Sequence, residues 1–216
     1  MWFGLLGPFL GTAVGAGAAL GMPMGSKRWN AALAGAAAGA MTAACIWNLL
    51  LPALGQGTVL TAAGFILGQL LLLLPSRMPG KRLGPGTALM LAVVLHNIPE
   101  GMAVGAGFAA GEPEALTLGI ALQNIPDGAV AAVPLLALGV SRKRAFAAGV
   151  LSGAVEPLAA GMMLLFTDAL TPAMPLLLGF AAGAMLFVVL QELSPAIRDS
   201  GWGTVCFTAG FLLMLV

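Results

Sequence analysis

Apolar residues run through this chain in long blocks, without the strict alternation of a half-buried strand or the one-sided stripe of a soluble helix. Eight blocks can be delimited: Phe3–Gly21, Asn30–Ala53, Thr58–Leu74, Gly86–Ala109, Ala115–Gly139, Ala145–Thr167, Thr171–Ser194 and Gly201–Val216. A bilayer crossing takes roughly 20 mostly apolar residues, so all but the last, which is short, are long enough to cross. In lipid every backbone N–H and C=O must be satisfied within the protein, which for apolar blocks of this length means helices. The pattern predicts an all-α polytopic membrane protein of eight transmembrane helices, forming one domain over residues 1–216. The first block has no basic residue before it, so it reads as a span and not as a cleaved signal.

Composition agrees. Of 216 residues, 60% are hydrophobic and 8% charged, where a soluble domain carries about 25% charged residues. A soluble fold and a disordered chain are both excluded. A net charge of +1 offers nothing to nucleic acid. Cys45 and Cys206 sit inside apolar blocks and suggest no disulfide framework. The nine basic residues change the picture more. Lys27 and Arg28; Arg77, Lys81 and Arg82; Arg142, Lys143 and Arg144; and Arg198 follow blocks one, three, five and seven, and no other connection has any. The positive-inside rule makes that side cytoplasmic, so both termini are expected outside, in the cell (inner) membrane.

Of the eight acids, Glu112, Glu114 and Asp168 fall in outward connections and Asp199 in an inward one. The other four, Glu100, Asp127, Glu156 and Glu192, lie within apolar blocks, with no lysine or arginine at a block centre to neutralise them. Inserting four such acids costs on the order of 10 kcal/mol on translocon scales. Carboxyls in that position either take up protons or hold another cation. Two of them share a six-residue pattern. Block four contains His96-Asn97-Ile98-Pro99-Glu100-Gly101, and block five contains Gln123-Asn124-Ile125-Pro126-Asp127-Gly128, 27 residues later. Positions i and i+4 share a helix face, so His96 lies with Glu100 and Gln123 with Asp127, each Asn on a neighbouring edge. Pro99 and Pro126 cannot donate to the carbonyls of Leu95 and Leu122, which predicts kinked helices lining a polar cavity. Imidazole, carboxylate and amide oxygen together suit a borderline or harder divalent ion such as Zn, Fe(II), Mn or Co, not Cu(I).

These motifs resemble the ZIP family of divalent metal transporters, and within it the GufA-like branch. HNIPEG at His96–Gly101 is similar to the family signature, and QNIPDG at Gln123–Gly128 to the branch's Gln-bearing version. SGAVEPLAA, FAAGAMLFVVLQELSP, PFLGTAVGA and AGAMTAACIWNLLLPAL extend the likeness over nearly the whole chain. The resemblance implies an eight-helix ZIP-like fold and a two-ion site between helices four and five. One ion would take His96, Glu100, Gln123 and Asp127, with Met41 as a further candidate. The other would take Asn97, Asn124 and Glu156 and share Glu100 and Asp127. Gln191 and Glu192 would lie further along the metal's path. The substrate implied is a divalent ion, zinc first, with Fe, Mn, Co and Cd open. Besides metal and the lipid bilayer, the resemblance leaves room for a homodimer, though no stripe of residues marks its face. Two rival readings are an intramembrane metallohydrolase, against which stand the lack of HExxH and of a second histidine, and a passive channel.

Overall fold

The computed structural model describes residues 2–22, 26–77, 85–110, 113–137, 139–198 and 200–215. Lys81, Arg82, Glu112 and Asp199 lie outside the described residues. Among those described, all regular structure is helical. The stretches are α1 (Trp2–Leu20), α2 (Lys27–Gln56), α3 (Thr58–Arg77), α4 (Pro85–Ala110), α5 (Pro113–Ala137), α6 (Arg142–Leu165), α7 (Thr167–Arg198) and α8 (Gly201–Leu213). By length and composition α2, α6 and α7 can each cross a membrane, and Gly4–Leu20, Thr58–Leu73 and Gly201–Leu213 are shorter apolar helices. Large apolar side chains point outward, among them Val14, Ile66, Leu151, Leu158 and Val205. The interior is built largely from alanine and glycine, which lets membrane helices approach closely.

Local sequence explains the ends and irregularities. Ser26 and Ser200 accept from the backbone N–H groups of Trp29 and Trp202 and so cap α2 and α8. Gly139, at a φ of 80°, lets the Val140 N–H return to the Leu135 carbonyl at 3.0 Å and closes α5. Departures from regular α-helix fall at prolines other than those of the duplicated motif. α4 and α5 run unbroken through Pro99 and Pro126. Instead α2 widens into a π-helical turn over Cys45–Leu50 and α7 into another over Val189–Leu193, each ending two residues before a proline, Pro52 or Pro195. A proline ring crowds the carbonyl four residues back, here Asn48 or Gln191, and the wider turn makes room for it. α6 is interrupted at Ala154, just before Glu156-Pro157. Pro157 likewise removes the donor that the Gly153 carbonyl would have used.

The helices pack most extensively as four pairs: α1 with α5, α2 with α8, α3 with α7, and α4 with α6. Glycines at the crossings bring backbone against backbone. A methyl group on Gly11 or Gly15 of α1 would overlap α5, on Gly39 of α2 would overlap α8, on Gly64 of α3 would overlap α7, and on Gly101 of α4 would overlap α6. Among the described residues every such overlap falls within the group α1, α4, α5 and α6 or within the group α2, α3, α7 and α8. Between the groups, the one glycine in contact among the described residues is Gly119 of α5, whose added methyl would stand an ordinary 3.5 Å from Asn48 of α2.

Candidate metal centre

Helical periodicity turns the duplicated motif into two polar faces, and the close approach of α4, α5 and α6 brings them together. His96, Asn97, Glu100, Gln123 and Asn124 are 0% exposed, and Asp127 and Glu156 are 1% exposed. His96, Glu100 and Asp127 each present a ligand atom within 4.8 Å of the others, and His96 Nε2 lies 3.7 Å from Asp127 Oδ2. A point among three atoms no more than 4.8 Å apart lies at most about 2.8 Å from each, against roughly 2.0–2.2 Å for a zinc bond to nitrogen or oxygen. Side-chain shifts of about 0.7 Å would close the difference.

The three amides are oriented by their partners. The Asn97 side chain donates from Nδ2 to the Ser152 carbonyl at 2.9 Å. Gln123 Nε2 donates to Glu100 Oε1 at 2.7 Å, and Asn124 Nδ2 donates to Glu156 Oε2 at 2.7 Å. A carbonyl or an ionised carboxylate only accepts, so in each amide the nitrogen must face the partner and the oxygen must face away. Asn97 Oδ1, Gln123 Oε1 and Asn124 Oδ1 are left buried without a hydrogen-bond partner among the described residues, as are Glu100 Oε2 and both oxygens of Asp127. An unsatisfied buried polar atom costs about 1–3 kcal/mol. Six lone-pair-bearing oxygens in that condition are able to accept a cation or water, and no lysine or arginine lies within the apolar blocks that carry them.

The residues expected from sequence divide into two sets. His96, Asn97, Glu100, Gln123, Asn124, Asp127 and Glu156 come together. Met41 is fully buried on α2, one turn before Cys45, whose thiol donates to the Ala182 carbonyl at 3.4 Å. Gln191 and Glu192 are exposed on the π turn of α7, and Glu192 is not among the grouped ligand atoms of His96, Glu100 and Asp127. Two contributors had not been anticipated. One is the Ser152 backbone carbonyl, which sits beside the interruption in α6. The other is Thr12 of α1, whose Oγ1 lies 3.3 Å from Glu156 Oε1. Its signal was faint: one hydroxyl in an otherwise apolar helix, four residues after Pro8.

The family model described as ZIP Zinc transporter matches residues 81–216. The chain belongs to the ZIP family. Among relatives, this ZIP chain is 35% identical to Zinc transporter GufA of Myxococcus xanthus, with 79% of this chain and 78% of that protein aligned. It is 38% identical to Zinc transporter ZIPB of Bordetella bronchiseptica, with 96% and 76% aligned. It is 45% identical to human Zinc transporter ZIP11, where 59% of this chain matches 41% of that protein. This ZIP chain therefore spans less than half the length of the vertebrate relatives it matches. As a ZIP protein, it is an all-helical membrane protein.

Proposed function

We propose that this chain is a carrier, not an enzyme, moving a divalent transition-metal ion, zinc foremost, toward the cytoplasm. The observation that carries the reading is the buried set of Glu100, Asp127 and Glu156 with three amide oxygens left buried without a partner among the described residues and one imidazole. Neutralisation by carboxylates lets a doubly charged ion leave water. The relatives reported above are all named zinc transporters. His96, Glu100, Gln123 and Asp127 hold the first ion, with Met41, buried on α2, as a further candidate ligand. Asn97, Asn124 and Glu156 hold the second, and Glu100 and Asp127 bridge the two. Fe(II), Mn, Co and Cd suit the same donors. Gln191 and Glu192, exposed on α7, would serve the ion after it leaves the cluster.

In this reading the chain crosses the cell (inner) membrane eight times with both termini outside. The segregation of lysine and arginine into alternate connections supports that count. Transport proceeds by alternating access. α1, α4, α5 and α6, locked together by backbone contacts, carry the site and slide as a unit against α2, α3, α7 and α8. The division of tight glycine contacts into those two groups supports the movement. The test is zinc uptake by proteoliposomes containing the parent or Glu100→Ala. Saturable uptake by the parent that disappears in the variant is the expected result. Folded parent protein that takes up no divalent ion overturns the proposal, and uptake that never saturates replaces the carrier with a channel.

A further inference from the structure

α1 contributes a single hydroxyl to the buried cluster, and its surroundings hold that hydroxyl in place. Thr12 is 0% exposed. A methyl group on Gly153 of α6 would come within 2.8–2.9 Å of the Thr12 side chain, and one on Gly128 of α5 would overlap the Thr12 carbonyl. Thr12 therefore sits where three helix backbones meet, with little freedom to turn. Its one hydroxyl proton has two acceptors at similar distance, the Pro8 carbonyl at 3.4 Å and Glu156 Oε1 at 3.3 Å, and it orients Glu156 only when given to the carboxylate. The other carboxylate oxygen, Oε2, accepts from Asn124. Each carboxylate oxygen has two lone pairs, so one donor on each oxygen fixes the plane of the group and still leaves a lone pair on each for a metal.

We propose that Thr12 is a positioning residue for the second ion: its hydroxyl holds the Glu156 carboxylate in the orientation that binds metal, without touching the metal itself. The proposal rests on the carrier reading above and adds α1 to the functional centre. Loss of a hydrogen bond that orients a metal ligand typically costs about 10–100-fold in affinity. Thr12→Val removes the hydroxyl at constant shape, and Thr12→Ser keeps the hydroxyl while removing the methyl.

The experiment is calorimetric titration of the full chain in nanodiscs with Zn²⁺ and separately with Cd²⁺, alongside the thermal midpoint of each metal-free variant. The parent is expected to bind two ions. Thr12→Val should hold the first as the parent does and lose about 10–100-fold for the second, while Thr12→Ser stays near the parent. If Thr12→Val does not fold, Thr12→Ala, which lacks the hydroxyl and relieves the contact with Gly153, should show the same loss. Unchanged binding of both ions by a hydroxyl-free variant overturns the proposal and leaves the carrier reading standing. So does a serine variant as weak as valine, since packing would then be the cause, and so does a parent that binds one ion only. A parent that binds no divalent ion overturns both.

Discussion

Replacing Glu100 by glutamine asks how much of metal binding is charge. The structure makes this substitution nearly isosteric. Glu100 Oε1 accepts from Gln123 Nε2 at 2.7 Å, and the amide oxygen of a glutamine can accept the same bond. The new NH2 then falls where the unpartnered Oε2 was, a donor with no lone pair to offer a metal. At an effective dielectric constant of 20, unit charges about 4 Å apart attract by about 4 kcal/mol, and a divalent ion doubles that to about 8 kcal/mol. Metal must displace whatever neutralises the buried carboxyl before it binds, at a cost of several kcal/mol that a neutral amide avoids. Taking that offset as about 5 kcal/mol leaves a net loss of about 3 kcal/mol, or on the order of 100-fold in affinity. The assay is competition for zinc against a chromophoric chelator, with circular dichroism on the same sample to establish that the helices are intact. A folded Glu100→Gln protein that binds zinc as tightly as the parent would refute the reasoning. It would mean that the cluster binds through its neutral donors and that the buried carboxylates serve something other than a cation.

Three further outcomes are expected. Protons compete with metal for His96, Glu100, Asp127 and Glu156, and each proton bound removes a ligand, so zinc affinity should fall as pH is lowered and recover on return to neutral pH; a titration series in buffers of descending pH measures it, and affinity that rises with acid would contradict the ligand set. Gly101→Ala places a methyl group against the Glu156 backbone, where α4 meets α6; overpacking of this kind costs about 1–3 kcal/mol, read as a lower thermal midpoint of the solubilised protein, and an unchanged midpoint would show that the contact yields freely. Asn48→Cys with Gly119→Cys, in a background with Cys45 and Cys206 changed to serine, places two thiols where α2 meets α5. Oxidation should stop zinc uptake and reduction should restore it, whereas full uptake by the crosslinked protein would exclude sliding of α5 past α2.

Much of the centre was legible because helix geometry is local. The four-residue spacing of His96 and Glu100, and of Gln123 and Asp127, places each pair on one face whatever the helix packs against. The expectation that the faces suit a cation came from counting acids against bases within the apolar blocks. The π-helical turns and the interruption of α6 were not legible in the sequence, for a local reason too. A proline may bend a helix, widen a turn or break it, and its neighbours decide which: α4 continues through Pro99, α7 widens before Pro195, and α6 is interrupted beside Pro157.

By itself, the sequence determined that the chain is helical, apolar throughout, and provided with a duplicated ligand motif. Those properties depend on composition and on spacings of a few residues. Tertiary structure decided that Glu156 and the Ser152 carbonyl approach the side chains of the motif, that the three amides leave their oxygens buried without a partner among the described residues, and that Thr12, 144 positions from Glu156, approaches its carboxylate. It also decided that Glu192, another acid in an apolar block, lies exposed on α7 away from the cluster. These outcomes depend on which helices cross and how closely. The crossings are set by glycines whose missing side chains leave no mark on a hydropathy pattern, and whose partners lie many tens of residues away along the chain.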